Sequence, residues 1–293
     1  MKGLQKKRRR FSSVALVAKT GSREALRLTA TLERSLARRG MKVVFDDETA
    51  AAMGRSDGVR RSRIASQADL VLVVGGDGTL LSVAREAPSS TRILGVNAGA
   101  LGFLAGLSRE EATSRLGEVL SGGFREERRR RLEVVVSEGP NRGTYRALND
   151  AVLNKEALAR ISTFSIALDG RPISEFRADG VIVATPTGST AYNLSAGGPI
   201  LHPALRAVVI TPICPHTLSQ RPLVVPGTTM ISLRVVDSGS PGGVHLTLDG
   251  QAGLPVPTGS CIEVRESRSP VTLLRPPESD HFHNLSEKMR WGV

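Results

Sequence analysis

The sequence predicts an α/β domain followed by a β-rich one, and three observations carry that expectation. The first is the run Leu70 to Val74, five apolar residues that are too few for a lone helix and read as a strand buried on both faces. It runs straight into Gly75-Gly76-Asp77-Gly78-Thr79 and a helical pattern. The second is the alternation of short apolar runs with amphipathic stretches up to Gly122-Gly123, which implies a Rossmann-like parallel sheet covered on both faces. The third is a change of rhythm beyond Arg131, where candidate strands follow one another with short turns and imply a β-sandwich-like C-terminal domain. The expected division is a basic, disordered tail at 1–10, an α/β domain at 11–124 to which 276–293 returns, and a β-rich domain at 125–275.

Taken in order, Ser13 to Ala18 is the first strand. Gly21 to Arg39 places Ala25, Leu28, Leu32 and Leu36 on one helical face, and Gly40 stands where a C-terminal cap belongs. Met41 to Phe45 is the second strand. Asp46-Asp47 at its end has the position of an acidic pair that holds a ribose in a dinucleotide fold, but no GxGxxG follows the first strand, so a solvated loop is preferred. Residues 48–63 are small, polar and basic without periodicity and read as a mobile loop near the Gly-rich turn.

At Gly75 to Gly78, three glycines in four positions let the backbone turn sharply and approach a ligand, and Thr79 opens a helix running to Ala87 before Pro88. Strand, turn and helix together aim backbone N–H groups at one spot, which suits an anion such as phosphate. Asp77 is the odd member, because a carboxylate repels phosphate. Either it caps the helix, or the turn also acts on a hydroxyl or holds a metal. Ile93 to Val96 is the next strand and leads into Asn97 to Leu104, a second glycine-rich crossing at a strand's carboxyl end. Ser108 to Leu120 is a helix with Ser108 and Glu111 spaced as a capping box.

The β-rich half contains candidate strands at Leu132 to Ser137, Thr144 to Leu153, Ser162 to Leu168, Val181 to Ala184, Val208 to Pro212, Met230 to Val236, Val244 to Leu248, Cys261 to Arg265 and Val271 to Leu274. Asp280 to Trp291 then returns to helical spacing through Phe282, Leu285 and Met289, a final helix expected to pack back on the N-terminal domain. Two places stand out. Asn149-Asp150 lies inside the apolar run Ala147 to Leu153. Burying that pair unpaired costs roughly several kcal/mol, so it forms a bulge or turn, or finds partners in the protein or a ligand. From Arg177 to Ile200 a buried strand enters a Gly/Ser/Thr-rich turn and a short helix. Tyr192, one of two tyrosines, can cover a nucleobase there.

Composition narrows the function classes. At 293 residues with 40% apolar content the chain can fill one large core or two ordinary ones. No apolar run approaches the ~18 to 20 residues that span a bilayer, and no apolar leader follows the basic start, so a soluble protein is expected. Cys214 and Cys261 lie far apart without metal spacing, which argues against a disulfide framework or structural zinc and fits a reducing cytoplasm. The net charge of +12 is wholly accounted for by six basic residues at 1–10 and net charges of +3 at 55–63 and at 125–131. Aromatics are 3% of residues and do not interleave these runs, so stacking on bases has little support. A solubilising tail and surface loops are preferred over attraction of polyanions or phosphorylated metabolites.

From about Val14 to Trp291 the chain resembles the bacterial NAD kinases. The resemblance rests on GGDGT at Gly75 to Thr79, Asn97 to Leu104, Asn149-Asp150, Asp179 to Ile200, Pro215 to Ser219 with Arg221-Pro222-Leu223, and Asp249-Gly250-Gln251. GGDG alone is shared with diacylglycerol and sphingosine kinases and phosphofructokinases; the long block from Asp179 is specific. The resemblance implies transfer of the γ-phosphoryl group of ATP to the 2′-hydroxyl of the adenosine ribose of NAD. Asp77 would accept the hydroxyl proton, chiefly orienting, because a carboxylate is a weak base toward an alcohol and a loose phosphoryl transition state rewards positioning. Gly75, Gly76, Gly78 and Thr79 would meet phosphate. No GxxxxGK[ST] supplies a phosphate lysine, so Mg²⁺ on the triphosphate, without dedicated protein ligands, would supply positive charge.

By the same resemblance Asn149 and Asp150 hold the adenosine, while Thr187 and the run Thr190, Ala191, Tyr192, Asn193, Leu194 and Ser195 enclose its base and ribose. Arg160, Arg177, Asp179 and Gln251 match positions that contact the dinucleotide, some across a subunit interface of a homo-oligomer. The competing readings are a lipid kinase of the diacylglycerol type, for which the basic tail is the only support, and a nucleic-acid-binding protein.

Overall fold

Strands without a polar face must be covered on both sides, and the first sheet of this computed structural model meets that demand. The structure describes residues 11–99, 102–156, 160–239 and 243–291, so the basic tail at 1–10 and Ala100 and Leu101 lie outside the described residues. Arg129–Pro270 forms one compact unit, and the described residues on either side of it form the other. Among the described residues no helix is long and apolar enough to cross a membrane.

In the N-terminal unit a seven-stranded sheet runs in the order Lys42–Phe45, Ser13–Ala18, Leu70–Gly75, Arg92–Asn97, Val271–Arg275 and Arg125–Arg129, with Ala105–Leu107 pairing beside Arg92–Asn97. The first five strands pair in parallel. Ser13–Ala18 is followed by a strand on one side and then by Leu70–Gly75 on the other, a reversal that opens a crevice at the strands' carboxyl ends. The Gly-rich turn follows Leu70–Gly75 at that end. The helix Arg23–Arg38 is capped by Ser22 and buries Ala25, Leu28, Leu32 and Leu36 against the sheet, and Gly40 has the expected left-handed φ of 71°.

Several local expectations are corrected. The expected loop at 48–63 contains the helices Asp47–Ala52 and Arg61–Ile64. Asp46 is not solvated: it is fully buried, caps the first of these helices through Thr49 N, and accepts a 2.7 Å bond from Arg61 Nε. Those bonds occupy the carboxylate that a ribose would need. Ser108 and Glu111 do form a capping box, but the helix breaks at Arg115 into Arg109–Ser114 and Leu116–Leu120. The basic stretch at 125–131 is not a surface loop, since Arg125–Arg129 is an edge strand and Arg129 and Arg131 are buried. Val271 to Leu274, expected among the strands of the β-rich half, pairs in parallel with Arg92–Asn97 through Thr272 and Leu273. The final helix, His281–Met289, follows a stretch tied to this unit by the Arg115–Glu278 ion pair and by Arg125 donating to Ser279 O.

The unit Arg129–Pro270 is a sandwich of two six-stranded antiparallel sheets. Val134, Phe164, Leu233 and Ile262 from one sheet and Leu153, Val181, Ile210 and Leu246 from the other share a single apolar core. The expected strand Thr144 to Leu153 divides: Gly143–Ala147 belongs to one sheet and Asp150–Lys155 to the other, so the chain changes sheets at Leu148-Asn149. Three strands outside the expected set, Arg171–Ala178, Leu223–Pro226 and Gln251–Pro255, are sheet edges.

Asp46 supplies both a helix cap and a buried charge partner. Asp46→Ala is expected to lower the unfolding free energy by ~2 to 3 kcal/mol in urea titration with an unchanged m value. Asp46→Asn, which keeps a capping oxygen, should lose about half as much.

Candidate functional site

Each unit carries one of the two glycine-rich motifs. In the N-terminal unit the helix after the first motif begins at Asp77, two residues earlier than the expected Thr79, with Gly76 extended at its N-cap and no side chain capping it. Gly76 and Gly78 are exposed, so the helix start is open to a ligand. Gly75 is packed: a β-carbon there would lie 2.9 Å from Thr79 Oγ1 and 3.1 Å from Lys19 Cβ.

Asp77 does not cap its own helix. Its Oδ2 accepts a 2.8 Å bond from Phe103 N and its Oδ1 a 3.1 Å bond from Leu104 N. Those two amides come from the second glycine-rich crossing, and Gly102 makes the approach possible, because a β-carbon on it would sit 2.0 Å from Asp77 Oδ1. The crossing is shaped by Asn97, whose Oδ1 accepts from Gly99 N, and held from behind by the buried Arg275, whose guanidinium donates to Phe103 O at 2.8 Å and Ala105 O at 2.5 Å. A half-buried carboxylate fixed by two amides keeps lone pairs for one more donor. It can take a hydrogen bond from a substrate hydroxyl in a fixed direction.

In the C-terminal unit the second motif is assembled around the change of sheets. Asp249 and Gly250 both have positive φ, 54° and 66°, as a tight hairpin turn requires. The turn delivers the Asp249 carboxylate to the amides of Leu148, Asn149 and Asp150 at 3.0, 2.7 and 3.2 Å. Thr185 Oγ1 donates to Leu148 O at 2.6 Å and accepts from Gly188 N, and a β-carbon on Gly188 would lie 2.2 Å from Asn149 O. The Asn149-Asp150 pair and the Thr185 to Thr190 turn are therefore one packed unit. Asn149 Oδ1 is shielded from solvent with no hydrogen-bond partner, and Asp150 is 3% exposed. Burial, and secondarily the charge of Asp249, push the Asp150 carboxyl up to about 7.

The remaining expected residues divide by exposure. Thr187 is buried and its hydroxyl accepts from Arg129 Nη1 at 3.3 Å. Thr190 and Leu194 are half-buried, and Ala191, also half-buried, closes the turn through a bond to Gly188 O. Ser195 is exposed. Tyr192 is 40% exposed, and burial raises the pKa of its phenol, helped by the charges of Cys214, Asp179 and Asp150. Asn193 faces inward instead: its amide donates to Ser189 O and Pro199 O and accepts from Thr211, so its side chain shapes the turn. Asp179 lies 3.7 Å from Lys155 Nζ, Arg160 and Arg177 are exposed, and Gln251 follows the Asp249-Gly250 turn half-buried. Gly102, Arg129, Thr185, Asp249 and Arg275 carry the geometry without having been singled out as site residues. Gly102, Thr185 and Asp249 lie inside motifs that carry the family resemblance, whereas Arg129 and Arg275 have no local signal.

Residues 14–124 match the family model of the ATP-NAD kinase N-terminal domain, and residues 148–275 that of the ATP-NAD kinase C-terminal domain. The chain is 42% identical over 285 residues to the NAD kinase of Koribacter versatilis, covering 96% of this chain and 99% of the relative. It is 40% identical over 284 residues to that of Solibacter usitatus, with 96% and 98% covered. Among solved structures it is similar to yeast NADH kinase complexed with NADH (TM-score 0.87, 27% identity, 97% of this chain and 89% of that one). It is also similar to an NAD kinase from Archaeoglobus fulgidus in complex with ATP (TM-score 0.76, 26% identity, 95% and 98%).

The Asp150 carboxyl holds its proton more tightly folded than unfolded, so its contribution to stability is full below pH ~4 and is lost as pH rises through about 7. Asp150→Asn removes that loss. The variant should match the parent near pH 4 and exceed it at pH 8 by ~3 kcal/mol in chemical denaturation, with the gain growing between those limits.

Proposed function

The chain belongs to the NAD kinase family, and from that premise we propose how its residues transfer the γ-phosphoryl group of ATP to the 2′-hydroxyl of the adenosine ribose of NAD, giving NADP. The observation that carries the reading is the Asp77 carboxylate, aimed by two backbone amides on an open glycine-rich helix start. Asp77 accepts a hydrogen bond from the 2′-hydroxyl and orients its oxygen toward the γ-phosphorus. As the new P–O bond forms and the bond to ADP breaks, the hydroxyl proton passes late to the carboxylate. Gly76, Gly78 and Thr79 let backbone approach the phosphates, Gly75 packs the turn against Thr79 and Lys19, and the helix start favours negative charge.

Among the described residues no cluster of three His, Cys, Asp or Glu side chains is gathered as a cation site. The Asp77 carboxylate, which accepts two amides and keeps further lone pairs, is a hard oxygen donor that would fit a Mg²⁺ ion carried mainly by triphosphate oxygens. When bound it supplies charge neutralisation. Every orienting contact described above comes from the chain itself.

On the acceptor side, Asn149 Oδ1 lacks a partner and is shielded, which supports a role in receiving a donor from the adenosine. Asp150 beside it offers a carboxyl to a ribose hydroxyl. Thr187, Thr190, Ala191, Leu194 and Ser195 border the adenosine, and the half-exposed Tyr192 ring covers it. Asp179, Arg177, Arg160 and Gln251 reach the rest of the dinucleotide. The exposed Ile173, Leu223 and Val224 support a homo-oligomer, and the free thiols of Cys214 and Cys261 support a reducing, cytoplasmic setting.

The test is an endpoint assay with NAD, ATP and Mg²⁺, read with an NADP-specific dehydrogenase. The protein should form NADP, and Asp77→Asn should lose at least about a hundredfold in turnover while still binding NAD. An active Asp77→Asn variant would remove the orienting role. Gly102→Ala, which drives a methyl into the Asp77 carboxylate, should lower kcat by roughly ten- to a hundredfold with the KM for NAD nearly unchanged.

A further inference from the structure

The segment that aims Asp77 is itself gripped by the C-terminal end of the chain. Phe103 donates its backbone N–H to Asp77, and the face of its ring receives Lys288, whose Nζ stands 4.1 Å from the ring centroid. That separation lies well within the range at which a ring face attracts an ammonium. Lys288 is in the last turn of His281–Met289, a helix fixed by the Asp280 cap and by the buried Leu285. A helix C-terminus also favours a cation. On the other side Arg275 holds the carbonyls of Phe103 and Ala105. We propose that Lys288 is a positioning residue for Asp77, acting through Phe103 to hold the amides that aim the carboxylate.

The electrostatics agree with the geometry. Burial lowers the pKa of Lys288, Asp77 pulls it back up, and Arg275 pushes it down, so the ammonium feels the reacting carboxylate. The inference rests on the reading of Asp77 as the carboxylate that orients the acceptor hydroxyl.

The experiment compares kcat, the KM for NAD and the melting temperature for Lys288→Met, Lys288→Arg, Phe103→Leu and the Lys288→Met/Phe103→Leu pair, with the parent enzyme alongside. Lys288→Met and Phe103→Leu should each lower kcat by about tenfold with the KM for NAD within about twofold, because the amides remain but are no longer held. Lys288→Arg should recover most of the loss, since a guanidinium also rides on a ring face. The paired variant should be no slower than Lys288→Met alone. A fully active Lys288→Met enzyme overturns the proposal, as does an equal loss in Lys288→Met and Lys288→Arg that tracks a fall in melting temperature. A parent protein that forms no NADP overturns instead the kinase reading on which the proposal rests.

Discussion

Backbone amides released where a chain leaves a sheet must be paired, and in this protein carboxylates do that pairing. Asp249 takes the three consecutive amides of Leu148, Asn149 and Asp150 at the change of sheets, and Asp77 takes those of Phe103 and Leu104 at the glycine-rich crossing. Asp69 does the same for Ser12 and Ser13 at the start of the first strand, where those bonds hold its pKa below the ordinary carboxylate range. Each pairing satisfies a donor that water would otherwise have to reach. Each also fixes a carboxylate in direction, and direction is what phosphoryl transfer asks of the group that meets the attacking hydroxyl.

The same device explains why Asn149 and Asp150 remain available. Because Asp249 absorbs the backbone donors around them, neither side chain is needed to pair the local backbone. Asp150 is left in a poorly solvated place beside a second carboxylate, which raises its pKa to about 7, and Asn149 Oδ1 is left shielded and unpartnered. Both are unfavourable in isolation, and each is a local cost that the fold carries at the change of sheets.

How far the sequence could be read follows from how local each signal is. The strand, turn and helix around Gly75 to Thr79 and the strand and turn from Val181 to Thr190 were legible because their apolar runs and glycines are contiguous. Four strands that the sequence pattern does not mark, Arg171–Ala178, Leu223–Pro226, Gln251–Pro255 and Arg125–Arg129, lie at the edges of sheets, and a fifth, Ala105–Leu107, is only three residues long. Edges tolerate proline and charge: Pro172, Pro255 and the five charged residues Arg125 to Arg129 break the apolar pattern, and Pro222 and Pro226 cut the run Leu223 to Val225 to three residues. The sheet change at Leu148-Asn149 was hidden for the opposite reason, since both flanking strands are apolar and read as one. At the site, Gly102 against Asp77, Arg275 against Phe103 and Asp249 against Leu148 join residues 25 to 172 positions apart, and no spacing rule reports such pairs.

Charge was misplaced by the same limitation. A run of arginines reads as a solvated surface because a lone buried guanidinium is costly; Arg55, Arg60 and Arg63 are exposed as that inference expects, whereas Arg129 and Arg131 are buried with partners. Arg61 is held by Asp46 and Glu48, Arg55 by Glu33 and Asp57, and Arg130 by Glu266. Arg131 donates to Ser269 O and Arg129 to Thr187. Much of the excess charge at 55–63 and 125–131 is therefore engaged with protein partners, which weakens the case for either stretch as a polyanion-binding surface. Within each unit a few cations instead hold the glycine-rich segments: Arg129 donates to Thr187 in one, and Arg275 and Lys288 meet Phe103 in the other.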